Sequence, residues 1–324
     1  MKLLKYLGLL LFLLAGTFII GPRPSFEKVN NIPLSEIQNV LDFEKRINLR
    51  ESKIPHIKED NEARIVWADS SKQKTPYSIV YIHGFSASQG EGYPMHLNIA
   101  DSIGANMYLA RLPEHGTNHL EAMDDLTPVD MVNSAKEAIA IGKAIGEKVV
   151  VMGCSTGGTL GIYLAAGDPN IDALILLSPN IEVKVEAMKL ITGPWGQALT
   201  QQLLGEHRVM DSTQSYIPYW SHQYHTNGLI ALQALLDQTM TEEVFAQLDL
   251  PIYCGYYFKN EEQCDRVVSI NAILEFQDAL TIPKSQMEFE AFEEGNHVLG
   301  SIYKNDNWKE VQEEVLDFLD KKVL

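Results

Sequence analysis

Apolar positions along the chain follow two alternating rhythms. Short, uninterrupted apolar runs occur at Ile65-Val66-Trp67, Ser78 to His83, Asn106 to Ala110, Val149 to Met152 and Ile171 to Leu177. Runs of that length predict strands, because a strand covered above and below is apolar at every position. Between them, apolar spacings of three and four predict helices over 92–103, 128–145 and 159–166, the second carrying Met131, Val132, Ala135, Ala138 and Ile139 on one face. Strands alternating with helices predict a mostly parallel sheet with helices on both faces. The alternation pauses over 182–250, where helical spacing continues without a convincing strand and Trp195, Tyr216, Tyr219, Trp220 and Tyr224 accumulate. This stretch reads as an inserted helical cap. The core pattern resumes at Pro251 to Tyr256, with a helix near 268–280, a strand at 286–292 and a closing helix at 307–320 presenting Val311, Val315, Leu316 and Leu319. Upstream, Pro33-Leu34-Ser35 followed by Ile37, Val40, Leu41 and Ile47 predicts one short amphipathic helix in a polar stretch. The chain thus divides into a leader or anchor (1–24), an extension (25–62), a core in two parts (63–181 and 251–324) and the cap (182–250).

Composition narrows the class. With 324 residues, 45% apolar and 21% charged, the chain suits one large domain with an insertion and excludes a disordered or fibrous protein. Lys and Arg number 26 against 43 Asp and Glu, a net charge of −17. Such a chain repels phosphate backbones, so no nucleic-acid partner is expected. Lys2 and Lys5 precede an apolar run from Tyr6 to Ile20, closed by Gly21-Pro22-Arg23-Pro24. That is the pattern of a secretory signal or a retained anchor, with Ala15-Gly16-Thr17 the nearest cleavage site. The expectation is an exported protein, periplasmic or membrane-anchored through residues 3–20, facing outside the cytoplasm. Cys154, Cys254 and Cys264 include no Cys-x-x-Cys pair, so structural zinc and dithiol redox chemistry lack support. Export permits one disulfide, and Cys254 with Cys264 is the better-placed pair, against the alternative of buried free thiols.

The chemistry concentrates at Gly153-Cys154-Ser155-Thr156-Gly157, directly after an apolar strand and before a helical pattern. A serine on a sharp strand-to-helix turn needs very small neighbours, which Gly153 and Gly157 provide. Its hydroxyl is then pushed out above the sheet beside a helix N-terminus that favours negative charge. Cys154 is the rival nucleophile, but the turn directs it into packing. A serine hydroxyl needs a base, and the base an orienting acid, which follow such a turn in the order acid, then histidine. Asp265, after the strand at 252–258, is the acid candidate; Glu261 and Glu262 share its loop. His297, in a loop before the last helix, is the base candidate. The N–H groups of Thr156 and Phe85 are the expected oxyanion donors, with Gly84 permitting a tight backbone and His83 structural. His222 and His225, at i and i+3, would suit a metal pair, but no carboxylate or third histidine follows at ligand spacing. They read as surface or pocket lining, and neither a metal nor an organic cofactor is required.

Together these residues resemble the α/β-hydrolase superfamily, and more narrowly the serine hydrolases related to monoglyceride lipases and bacterial carboxylesterases. The resemblance rests on His83-Gly84-Phe85-Ser86, Ala110-Arg111-Leu112-Pro113-Glu114-His115-Gly116, Gly153 to Gly157, Asp265-x-Val267-Val268 and Gly295-Asn296-His297. It covers roughly 63–324 and implies the α/β-hydrolase fold with Ser155, Asp265 and His297 as triad, Phe85 and Thr156 as oxyanion donors, and a structural His115. Two features depart from the pattern: a long acid loop, Lys259 to Cys264, and Cys at the second elbow position. Residues 25–62 match no feature of the family. The implied activity is hydrolysis of a small-molecule ester or lipid through an acyl-enzyme, and the aromatic cap suggests an apolar acyl or aryl group. Two other readings stay open. One is an aminopeptidase of the same superfamily, for which Glu242 and Glu243 at the end of the cap would hold the ammonium. The other is an anchored binding protein that keeps the fold without turnover.

Overall fold

The computed structural model describes Tyr6 and residues 16–37, 39–211, 213–214 and 217–324. Most of the apolar run expected to be a leader or anchor therefore lies outside the described residues, as does Tyr216. Among the described residues, no helix is long and apolar enough to cross a membrane.

Seven strands form the central sheet: β1 (Arg64–Val66), β2 (Thr75–Ile82), β3 (Asn106–Leu109), β4 (Gly146–Cys154), β5 (Ala173–Leu177) and, after a short hairpin of β6 (His207–Val209) and β7 (Gln223–His225), β8 (Ile252–Tyr257) and β9 (Met287–Phe292). Their order across the sheet is β1-β3-β2-β4-β5-β8-β9. Only β1 runs antiparallel to its neighbour; the other pairs are parallel. Side chains alternate along each strand, so the sheet builds two cores. Val80, Ile82, Val149 and Val151 point into one; Ile79, Tyr81, Val150 and Met152 point into the other.

The helices are α1 (Val40–Glu51), α2 (Met95–Ser102), α3 (Pro128–Ile145), α4 (Thr156–Ala165), α5 (Gly196–Leu204), α6 (Asn227–Thr239), α7 (Glu242–Phe245), α8 (Ile270–Ala279) and α9 (Trp308–Lys322). α3 starts where Thr127 accepts the Asp130 N–H, with Pro128 in its first turn. It covers the first core together with α4, α6 and α8, while α2 and α9 cover the second. α9 buries Val311, Val315, Phe318 and Leu319, whereas Leu316 sits half-buried at the edge of that face. Each of the four contributes about 1.5–3 kcal/mol of burial.

The segment between β5 and β8 is mixed rather than purely helical. It carries α5, α6 and α7 together with the β6–β7 hairpin. Strands of three residues are too short to show a period, which is why spacing alone missed them. From the extension, Phe26, Val29, Ile37, Val40 and Phe43 pack against the first core. Ile47 of α1 is buried, and Glu51 forms a buried ion pair with Arg111 at 2.6 Å. Arg111 in turn donates to the carbonyl oxygens of Leu112 and His115. The extension thereby braces the loop that leads to the site.

Candidate active site

Ser155 lies at the C-terminal end of β4, where the chain turns into α4. Its backbone is in the left-handed half of conformational space, φ 52° and ψ −115°. A non-glycine residue holds such a conformation only when its surroundings fix it. The Ser155 N–H donates to Leu177 O at 3.0 Å, and its carbonyl accepts from Thr159 and Asn180. The turn is so tight that a Cβ on Gly157 would come within 1.8 Å of Ile82 O. Cys154, one residue earlier, points to the far core and is buried. Burial first, then the carboxylate of Glu91, pushes its thiol well above the ordinary range, so it stays protonated and inert.

Asp265 follows β8 and is fully buried. Its Oδ2 meets His297 Nδ1 at 2.7 Å, and its Oδ1 accepts the Val267 and Val268 N–H groups at 2.7 and 3.1 Å. Burial alone would raise this carboxyl. The His297 hydrogen bond and charge, with the two amides, outweigh it and hold the group below its ordinary value. Glu261 and Glu262 are exposed. The long loop from Lys259 to Cys264 closes on itself, with Lys259 N–H on Gln263 O at 2.9 Å and a bridge between Phe258 and Cys264. Its extra length is thus absorbed in a turn before Asp265. His297 is presented by a loop that Asn296 shapes, accepting the Val298 N–H at 2.8 Å and donating to Lys304 O.

The loop after β2 completes this wall. Leu112 N–H donates to His83 Nε2 at 3.0 Å, so the ring proton sits on Nδ1 and is given to Gly84 O at 2.8 Å. Burial, with His115 and Arg111 nearby, holds His83 neutral, its pKa well below the ordinary value. His83 is a strut, as its position in the sequence suggested. His115 also stands neutral, lowered to about 4 by burial, with Nδ1 on Pro113 O and its ring edge-on to Phe85. Gly84, Phe85, Ser155, Asp265 and His297 all line one cavity of about 700 Å³. Val183, Met188, Leu229 and Leu232 form its apolar side.

Residues 79–299 match the model of the Alpha/beta hydrolase family. The chain belongs to that family. It is 30% identical over 118 residues to a thermostable monoacylglycerol lipase from Bacillus sp. (strain H-257), a match spanning 36% of this chain and 46% of the relative. It thus covers less than half the length of that relative. Among solved structures it resembles one reported for the metagenome-derived lipolytic enzymes LipS and LipT, with TM-score 0.66 and 14% identity over 82% of this chain and 99% of that one. It also resembles Est1E from Butyrivibrio proteoclasticus with bound ferulic acid (TM-score 0.55, 16% identity, 81% and 95% covered). A third likeness is to a monoacylglycerol lipase from Paleococcus ferrophilus (0.57, 13%, 79% and 97%). At these identities the likeness to the solved structures is one of fold.

Three points that the sequence left open take a definite form in the fold. The three cysteines are free: Cys254 is buried in β8, and Cys264 accepts from Lys184 Nζ at 3.0 Å. His225 pairs not with His222 but with His207 across the hairpin, and the fold brings Glu121 to them. Ligand spacing along the chain could not show this, because the three residues come from separate segments. Glu242 and Glu243 stand exposed in the first turn of α7, and neither is among the described residues lining the cavity.

One residue of the site was missed altogether. Glu91 sits in a short 3-10 turn, Gln89–Gly92, and is 2% exposed. Its Oε2 accepts the Gly84 N–H at 2.7 Å and the Tyr81 hydroxyl at 3.3 Å. A Cβ on Gly84 would lie 2.9 Å from Glu91 Oε1, so glycine is what lets the carboxyl come this close. Burial raises it to about 7, against the opposing pull of the Gly84 N–H, His297, Cys154 and Tyr81. Its sequence signal is faint: one carboxylate between two glycines, which reads as solvated loop.

Proposed function

We propose that the chain is a serine hydrolase cleaving carboxylic esters through Ser155, His297 and Asp265. The observation that carries this reading is the 2.7 Å bond between His297 Nδ1 and buried Asp265, on the wall of the cavity that also receives the strained Ser155 elbow. With Nδ1–H given to Asp265, Nε2 is left with its lone pair and takes the Ser155 proton as Oγ attacks the carbonyl carbon. Asp265 stays ionised and stabilises the imidazolium. The Thr156 and Phe85 N–H groups receive the negative oxygen of the tetrahedral intermediate. Its collapse breaks the ester bond, and His297 returns the proton to the leaving alcohol. Water then attacks the acyl-enzyme with His297 as base, releasing the acid and restoring Ser155.

An ester or lipid substrate is favoured by the apolar side of the cavity and by the lipases and esterases among the similar proteins. The two carboxylates that the peptidase reading assigned to the ammonium, Glu242 and Glu243, are not among the described residues lining the cavity. Export remains part of the proposal and is supported by the Lys-flanked apolar run before Gly21-Pro22. The test is intact mass after fluorophosphonate treatment of wild type and Ser155→Ala, with a p-nitrophenyl ester series on the same samples. One adduct on wild type alone, with ester turnover, is expected. A folded wild type with neither adduct nor turnover would replace this reading with that of a binding protein.

A further inference from the structure

Outside the Ser155 cavity, nitrogen and carboxylate ligands converge where the β6–β7 hairpin meets the loop before α3. His207 and His225 are register partners, their rings 5.1 Å apart and nearly perpendicular. Glu121 Oε1 lies 3.1 Å from His207 Nε2. One ligand atom from each of Glu121, His207 and His225 falls within 4.8 Å of the others. Glu206 Oε1 stands 4.0 Å from His225 Nε2, and Asp124 Oδ1 stands 3.3 Å from His225 Nδ1. The frame is fixed by backbone bonds: His225 N–H donates to Ala122 O, and Thr226 N–H to Glu206 O, both at 2.8 Å.

We propose that Glu121, His207 and His225 form a binding site for a divalent metal ion of the zinc class, with Glu206 placed to complete four-coordination. Two imidazoles with carboxylates are a donor set that suits zinc, whereas magnesium and calcium prefer oxygen alone. Metal–ligand bonds of 2.0–2.2 Å in a tetrahedron set ligand atoms roughly 3.3 Å apart. Glu121 and His207 already meet that spacing, and Glu206 must close by under 1 Å on His225. Three carboxylates, Glu121, Asp124 and Glu206, surround the point with negative charge that a dication offsets. As it stands, Asn227 N–H donates to His225 Nδ1 at 3.0 Å, which puts the ring proton on Nε2. Binding a cation through Nε2 moves that proton to Nδ1, where Asp124 accepts it in a carboxylate–histidine–metal relay. The Asn227 amide then rejoins the unpaired N–H groups that begin any helix, here α6.

The ion would staple the hairpin to the loop carrying Glu121. Tyr224, the neighbour of His225, lines the substrate cavity, so the staple fixes one wall of the pocket without touching Ser155. The inference is independent of the reaction assigned to Ser155. Its test uses the full chain without an affinity tag, stripped with chelator and titrated with zinc chloride by calorimetry. One zinc per chain is expected, weakened at least ten-fold by His207→Ala and by His225→Gln and unchanged by His222→Ala, a nearby histidine outside the cluster. Zinc should raise the melting temperature of wild type by about 3 °C or more and leave that of His207→Ala unmoved. Cobalt(II) in place of zinc should give the visible absorption of a tetrahedral site in wild type only. Equal binding by wild type and His207→Ala, or equal competition by magnesium, would overturn the assignment.

Discussion

The two sides of the cavity are built differently. On the sheet side, Ser155, Asp265 and Glu91 are almost fully buried, and each is tied to main-chain groups: Ser155 to Leu177, Asp265 to Val267 and Val268, Glu91 to Gly84. On the cap side, the loop after β5, a short 3-10 turn and the start of α6 offer side chains such as Val183, Met188 and Leu229, which are only half-buried. Bonds to the backbone fix an atom's position; apolar contacts fix little more than volume. The sheet side can therefore set where charge develops, and the cap side can set which chain fits. A change on the first should act on kcat, and a change on the second on selectivity among substrates.

The largest effect tests the sheet side directly. Ser155→Ala should lower ester turnover by about 10⁴-fold or more while the thermal midpoint stays within a few degrees of wild type, since alanine leaves the turn's backbone bonds in place. Substantial residual activity would remove Ser155 from the reaction. Next comes the acid. Asp265→Asn should cost about 10³–10⁴-fold in kcat, because an amide cannot hold the imidazolium. Glu261→Gln and Glu262→Gln should stay within two-fold, as both side chains are exposed. The reverse ranking in a steady-state assay would move the acid to the turn before Asp265.

Legibility in the sequence follows the same division. Ser155 and Asp265 could be placed because each follows a strand with an uninterrupted apolar run, and His297 because it follows the alternating strand Met287–Phe292; strand ends fix where a loop residue points. The sheet could be read from its apolar runs, although β4 begins at Gly146, ahead of the expected Val149: Gly146 and Lys148 pair with Thr75 and Tyr77, while Glu147 and Lys148 remain exposed and so break the apolar pattern. What stayed hidden depends on contacts between distant segments. The bracing of Arg111 by Glu51 spans 60 positions and that of the Glu121–His207 pair 86. Glu91 was hidden differently: only seven residues from Gly84, it looks solvated until its burial is known.

Glu91 sharpens the comparison because the burial that sets it against Gly84 carries an electrostatic cost, which the Gly84 N–H offsets only in part. Its carboxyl is raised from 4.5 to about 7 in the fold and returns to the ordinary value on unfolding. The native chain therefore binds this proton more tightly than the unfolded one. That contribution to stability is complete below pH 4.5 and is lost as the pH rises through 7. Glu91→Gln keeps an acceptor for the Gly84 N–H and removes the titration. The groups facing Glu91, namely Tyr81, Cys154, His297 and Lys304, are common to both proteins. The stability of the variant relative to wild type should then rise by about 3 kcal/mol between pH 4 and 9, read from urea unfolding at each pH. A constant difference across that range would mean that Glu91 titrates in the fold as it does in the unfolded chain.

The smallest effect belongs to the cap side. Leu229 opens α6 on the apolar side of the cavity, half-buried and packed against the first core. Leu229→Trp fills cavity volume without touching Ser155, Asp265 or His297. Short acyl chains do not use that volume, so kcat/KM for p-nitrophenyl acetate should stay within two-fold. Longer chains lose the space for several methylenes, each worth about 0.8 kcal/mol of burial, and strain from overpacking limits how far the neighbours yield. Discrimination between acetate and a long-chain ester should therefore shift by about 10–200-fold toward acetate. If the variant instead lowers turnover of all chain lengths equally, the cap helix governs the geometry of the reacting atoms as well, and the division between the two sides of the cavity fails at α6.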